Sequence, residues 1–173
     1  MIARHTPHLA WLALLLMLGA CAQHLPLPTH TAQLTLPMQL HIQRWSADET
    51  RDWLLVIQRE GTAVRWSLLD PLGVPLARQL LRDGHWQADG LLPPNPEARE
   101  LFAALLFALS PAEQMDELYA DTRWTQQSDG RSLTADGAAW QVRYLKKGGF
   151  ELDVGPRLSY GVAPIAPAGA RQQ

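Results

Sequence analysis

Apolar and polar residues alternate with period two along most of the chain, and that alternation predicts strands. In "QLTLPMQLHIQ" (33–43), Leu34, Leu36, Met38, Leu40 and Ile42 share one face. Pro37 falls on the opposite, polar face, which suggests an edge strand or a bulge. "DWLLVIQ" (52–58) is apolar on both faces, as in a strand covered on two sides. Alternation returns in Val64/Trp66/Leu68, Trp140/Val142/Tyr144, Phe150/Leu152/Val154 and Leu158/Tyr160/Val162. Asp-Gly pairs at 83–84, 89–90, 129–130 and 136–137, with Gly148-Gly149, punctuate these runs with the residues of hairpin turns. The pattern predicts a meandering antiparallel sheet, long and curved.

One segment breaks the period. "NPEARELFAALLFALSPAEQMDELYA" (95–120) is helical by composition, with Pro96 placed for a first turn and Glu97 and Glu100 near the positive end of the helix dipole. Ser110-Pro111 ends this helix and opens a second, where Ser110 and Glu113 have capping-box spacing. "LFAALLFAL" (101–109) is apolar on all sides, so it requires cover over most of its surface. Two readings stand: a plug or lid over an open barrel, or a core helix packed on one face of the sheet.

The N-terminus carries an address. Arg4 precedes "LAWLALLLMLGA" (9–20), an apolar stretch of signal-peptide length and shorter than the roughly 20 residues of a membrane-spanning helix. It ends in Leu18-Gly19-Ala20-Cys21, which resembles a bacterial lipobox, so residues 1–20 are expected to be removed and Cys21 acylated. The plainer alternative is an ordinary signal peptide with a stray cysteine near its end. Ala22, where aspartate would favour retention in the inner membrane, points by that resemblance to the outer membrane. Several acyl chains on one residue anchor a protein stably where one chain does not. "CAQHLPLPTHTA" (21–32) reads as a tether, residues 33–162 as one domain with its helical insertion at 95–120, and residues 163–173 as a disordered Pro/Ala tail.

Charge and composition exclude more than they assign. The chain has a formal net charge of −2 and no basic stripe for nucleic acid. Cys21 is the only cysteine, so no disulfide forms within a monomer. No G-x-S-x-G, Walker or G-x-G-x-x-G motif occurs, and the histidines lack metal-ligand spacing. The acidic groups at 97/100 and 113/116/117 read as solvated helix faces, and His85 as an exposed strand residue. A monomeric non-enzyme without cofactor or metal is expected.

"DPLG" (70–73) then stands out. Asp70, Pro71 and Gly73 occupy their favoured positions of a type I turn, which leaves Leu72 at the apex where a small polar residue is usual. A single exposed leucine needs no function, and Val74 and Leu76 offer a small cluster that would bury it.

Taken in order, "LLDPLG" (68–73) after a strand, the acidic-to-apolar helical insertion, and the late pair in "WTQQSDGRSLTADGAAWQVRYL" (124–145) resemble LolB, a family of outer-membrane lipoproteins that receive other lipoproteins from the periplasmic carrier LolA. The likeness spans about residues 33–162 and is nearest to LolB-like lipoproteins of unsettled function. It implies an incomplete, strongly curved antiparallel barrel closed by short helices, with an apolar interior that holds acyl chains. It further implies that Leu72 is a membrane-inserting finger, that lipid or lipoprotein is the cargo and that a LolA-like carrier is the donor. An interior of this kind would be lined by Leu36, Leu40, Trp66, Leu68, Phe102, Leu105, Leu106, Trp140, Val142 and Phe150, which are equally what a plain core would contain. The chain departs from the family in its shorter length and in its Pro/Ala tail, where a last strand would be expected. A structural assembly factor of the outer membrane, and an inhibitor acting through a protruding loop, are the competing readings; "DPLGVPL" is too apolar for the second.

Overall fold

The computed structural model describes residues 25–135, 137–146 and 148–165. Residues 1–24, Cys21 among them, and residues 166–173 lie outside them. The strands are β1 (Met38–Ser46), β2 (Thr50–Glu60), β3 (Ala63–Leu69), β4 (Pro75–Arg82) and β5 (His85–Ala88), then β6 (Arg123–Gln126), β7 (Gly130–Ala135), β8 (Ala138–Tyr144), β9 (Phe150–Val154) and β10 (Leu158–Pro164). Between β5 and β6 lie α1 (Pro96–Leu109), a 3-10 turn (Ala112–Gln114) and α2 (Met115–Leu118).

All ten strands form one antiparallel sheet in the order β5-β4-β3-β2-β1-β10-β9-β8-β7-β6. The first and last strands are central neighbours, with Ile42 opposite Val162 and Trp45 opposite Ser159. The sheet does not close: β5 and β6 are its edges, each four residues long. Short edges limit the exposed ladder available to another chain. Strict up-and-down order puts the β1–β2, β3–β4, β7–β8 and β9–β10 turns at one end of the sheet. The β2–β3, β4–β5, β6–β7 and β8–β9 turns lie at the other.

α1 runs between those ends inside the concavity. Asn95 caps it, accepting a hydrogen bond from the Ala98 N–H at 3.0 Å. Phe102 meets Trp66 of β3 and Trp86 of β5 at ring separations of 5.6 and 5.8 Å, while Phe107 meets Trp140 of β8 at 6.2 Å. A helix touching strands on both sides of central β1, with Ala98 and Leu101 to Ala108 all buried, requires the sheet to curl around it. Full burial of one Leu or Phe stabilises by about 1.5–3 kcal/mol, so α1 is a main source of cohesion. α1 is thus buried within the concavity of the open sheet and does not lie across its rim.

Several expectations need correction. Residues 33–37 are not strand, and β1 begins at Met38. Pro37 stands just ahead of a central strand, where its missing N–H costs the ladder nothing. β2 buries Trp53, Leu55 and Ile57 on the core face, whereas Leu54 and Val56 are half-buried on the outer one, so the sheet is covered on one side only. Ser110 does not form a capping box with Glu113. It is the C-cap of α1, and its hydroxyl donates to the Leu106 carbonyl at 2.7 Å. The segment read as a tether is packed from Leu25 onward: Pro28 and Ala32 are buried, and the Thr29 N–H donates to the Leu118 carbonyl at 2.8 Å. The last strand extends through Ala163 and Pro164, residues assigned above to the tail.

Candidate functional site

The β3–β4 connection is built to hold Leu72 out. The Gly73 N–H donates to the Asp70 carbonyl at 3.0 Å, closing the turn, and the Asp70 N–H donates to the Val74 carbonyl at 2.9 Å. The Asp70 carboxylate then accepts from the Leu72 N–H at 2.9 Å and the Val74 N–H at 2.8 Å through one oxygen, Oδ1. Gly73 adopts φ +84°, a left-handed conformation that glycine reaches without strain. Four hydrogen bonds within five residues fix a short loop whose apex side chain, Leu72, is 89% exposed, with Val74 at 53%. The cluster with Val74 and Leu76 that would have hidden Leu72 does not form.

A second exposed leucine was not singled out from the sequence. Leu91, in the loop joining β5 to α1, is fully exposed. The root of that loop is fixed by Asp89, whose Oδ2 accepts from Arg65 Nε at 2.7 Å. Its far end is held by Asn95, whose amide donates to the Leu76 carbonyl at 3.4 Å. The signal was present in "GLLPP" (90–94), where leucines sit outside any alternating run and before two prolines.

Beside this loop a cleft of ≈ 510 Å³ is walled by Leu25, Ala77, Arg78, Gln79, Trp86, Leu92, Pro93, Pro94 and the first turn of α1. Gln79 lies opposite Trp66 in the β3–β4 register, and Trp66 meets Trp86 edge-to-face at 5.5 Å. The Gln79 Oε1 and both indole N–H groups, of Trp66 and of Trp86, are buried without a hydrogen-bond partner. Unpartnered buried polar groups are costly. Three of them come together beside a cleft whose wall mixes apolar side chains with Arg78, Gln87, Arg99 and Glu100.

Of the ten residues proposed to line an acyl-chain interior, Leu40, Trp66, Leu68, Phe102, Leu105, Leu106, Trp140, Val142 and Phe150 are buried in one continuous core, and Leu36 is half-buried against it. The structure therefore brings them together as the packed interface between α1, which carries Phe102, Leu105 and Leu106, and the strands and Leu36 around it. Cys21 is outside the described residues. Among those residues, no cluster of His, Cys, Asp or Glu has metal-binding geometry, and no helix is long and apolar enough to cross a membrane.

The position of α1 is set by polar locks at its two ends. Near its start, Glu97 accepts from Arg44 Nε at 2.6 Å, from Arg44 Nη2 at 3.1 Å and from the Tyr160 hydroxyl at 3.1 Å. Glu97 is thus not part of a solvated helix face. Its bond to Arg44 raises the guanidinium pKa further, opposed by burial, and burial followed by the Glu97 charge drives the Tyr160 phenol far above the ordinary tyrosine range. At the other end, buried Arg131 donates to the Ser110 carbonyl at 3.0 Å and lies 5.7 and 5.3 Å from the Phe107 and Tyr144 rings. The Tyr144 hydroxyl donates to the Ala108 carbonyl at 2.8 Å.

No protein-family model matches the chain, and a search of curated proteins returns no significant relative.

Proposed function

We propose that this protein is an outer-membrane lipoprotein, anchored through acylated Cys21 on the periplasmic face, that handles the acyl chains of a lipid or lipoprotein and assists their passage into the membrane. The observation that carries the reading is Leu72, an apolar apex held in water by a purpose-built loop. An exposed leucine costs solubility, and a loop fixed by one carboxylate gains nothing for the fold by keeping it there. A LolA-like periplasmic carrier is the partner expected to deliver the cargo, and no catalytic step is required.

The energetics suit transfer. Burying a methylene is worth about 0.8 kcal/mol, so a sixteen-carbon chain is worth roughly 12 kcal/mol gross. A bilayer offers about the same, so exchange between protein and membrane is close to balanced, and what the protein lowers is the barrier set by exposure to water. Because α1 fills the interior, a chain must enter by replacing contacts that α1 makes with the sheet, beginning at the cleft beside Trp86. There its carbonyl linkage would meet Trp86, which lines the cleft and whose indole N–H has no partner.

The filled interior also favours a second reading: a lipoprotein that braces a larger outer-membrane partner and carries no cargo. A transfer assay separates the two. The full lipoprotein in acceptor vesicles should accelerate uptake of a pyrene-labelled lipopeptide from donor vesicles, and Leu72→Asp should abolish the acceleration. Uptake at the protein-free rate would exclude the carrier reading.

A further inference from the structure

Leu72 and Leu91 lie in loops at the same end of the sheet, because β5 runs toward the end that carries the β3–β4 turn. Leu72 is four positions from Leu76, and Leu91 is four positions from Asn95. Asn95 donates to the Leu76 carbonyl. Each leucine is therefore tied to one point by no more than about 14 Å of extended chain. The acidic residues at the roots of both loops are occupied: Asp70 accepts from its own loop, and Asp89 accepts from Arg65. What these loops present to solvent is apolar, with Leu72 and Leu91 the two most exposed large hydrophobic side chains among the described residues.

The path of the N-terminal segment adds the second observation. Pro28 lies by Gly84, its carbonyl 3.7 Å from where a Cβ would stand there, in the β4–β5 turn at one end of the sheet. Read backwards to Leu25, the chain climbs away from that turn into the cleft shared by Ala77 and Asn95, toward the end that carries Leu72. Cys21 is four positions further, again within about 14 Å.

We propose that Leu72, Val74 and Leu91 form a single bilayer-docking surface that inserts in the leaflet holding the Cys21 acyl chains, with Leu91 as a second finger beside Leu72. Docking on two loops and an anchor fixes the tilt of the domain, which Leu72 alone cannot, and turns the cleft toward the lipid. The cleft wall carries exposed Arg78 and Arg99 beside Glu100, and Glu97, which is paired with Arg44, so this side of the domain has groups that can meet lipid headgroups of either charge. This rests on the reading of Cys21 as the acylated residue, and it is independent of any cargo.

The test uses the full lipoprotein reconstituted through its anchor in phosphatidylethanolamine/phosphatidylglycerol vesicles. Cys21 is the only native cysteine and is blocked by acylation, so Leu72→Cys, Leu91→Cys and, in the β6–β7 turn at the opposite end, Ser128→Cys each take one environment-sensitive fluorophore. Labels at 72 and 91 should shift to the blue and be quenched by shallow doxyl lipids, while the label at 128 does neither. Quenching at 72 without quenching at 91 would overturn the second finger and leave the Leu72 reading standing. Quenching at neither, or equally at 128, would overturn the docking surface altogether. Lipopeptide uptake by acceptor vesicles, measured separately, reports on the cargo reading.

Discussion

Replacing Phe102 by alanine tests whether α1 is a structural core element or a loosely docked cover. Phe102 has no exposed surface, and its ring packs against Trp66 and Trp86 at 5.6 and 5.8 Å. Truncating a fully buried phenylalanine costs about 3–5 kcal/mol, the lost burial plus the cavity left behind. Two tilted aromatic contacts disappear with it, which favours the upper half of that range. Domains of this size have about 5–15 kcal/mol in all, so the loss is a large fraction of the total and is best read at low temperature with a stabilising osmolyte present in both proteins. With a urea m-value of about 2 kcal/mol/M, its midpoint should fall by about 2–2.5 M. Unfolding is followed by tryptophan fluorescence and far-ultraviolet circular dichroism, which should give coincident transitions. A loss below about 1 kcal/mol, or helix signal melting before the sheet, would refute the reasoning, because α1 would then open without cost to the rest.

The remaining expectations concern the locks, the tyrosines and the loop. Glu97→Gln breaks a charge-assisted pair whose side chains are 15% (Arg44) and 34% (Glu97) exposed, and should cost about 2 kcal/mol in urea unfolding, largely independent of salt. All three tyrosines, Tyr119, Tyr144 and Tyr160, have phenols raised above the ordinary value, with burial the first cause in each. Neutral phenol is therefore favoured by folding: that contribution is intact below pH about 10 and is lost as pH rises through the folded values. Tyrosinate absorbance should stay low past pH 10 and then appear together with unfolding, whereas the protein in guanidinium should titrate normally. Asp70→Ala removes two hydrogen bonds from a half-exposed site and should cost only about 1 kcal/mol. It should nevertheless speed amide exchange at Leu72 and Val74 and slow lipopeptide uptake.

The sheet was legible because burial on one face writes period two into a strand, and β3, β8, β9 and β10 fall where the alternation put them. β1 was misplaced at its start because Leu34 and Leu36 continue the apolar parity while packing from a non-strand segment. The helix was legible from "LFAALLFAL", but composition alone does not say on which side such a helix lies; the ring contacts to β3, β5 and β8 do. Glu97 looked like a surface carboxylate because its partners, Arg44 and Tyr160, are 53 and 63 residues away in the chain. Gln79 was overlooked since nothing local distinguishes a carboxamide that finds no partner from one in water. The exposure of Leu72 depended on how Asp70 bonds the loop, which the turn pattern suggested and the geometry resolves.

The most direct measurement is native mass spectrometry of the chain from Ala22 onward, purified from a bacterial periplasm. An acyl-chain handler should carry copurifying lipid or lipopeptide in one-to-one stoichiometry, or take up added lysolipid, with Trp66 and Trp86 emission changing as it binds. A bare mass that excess fatty acid and lysolipid leave unchanged would contradict the carrier reading and leave a brace for an outer-membrane partner in its place.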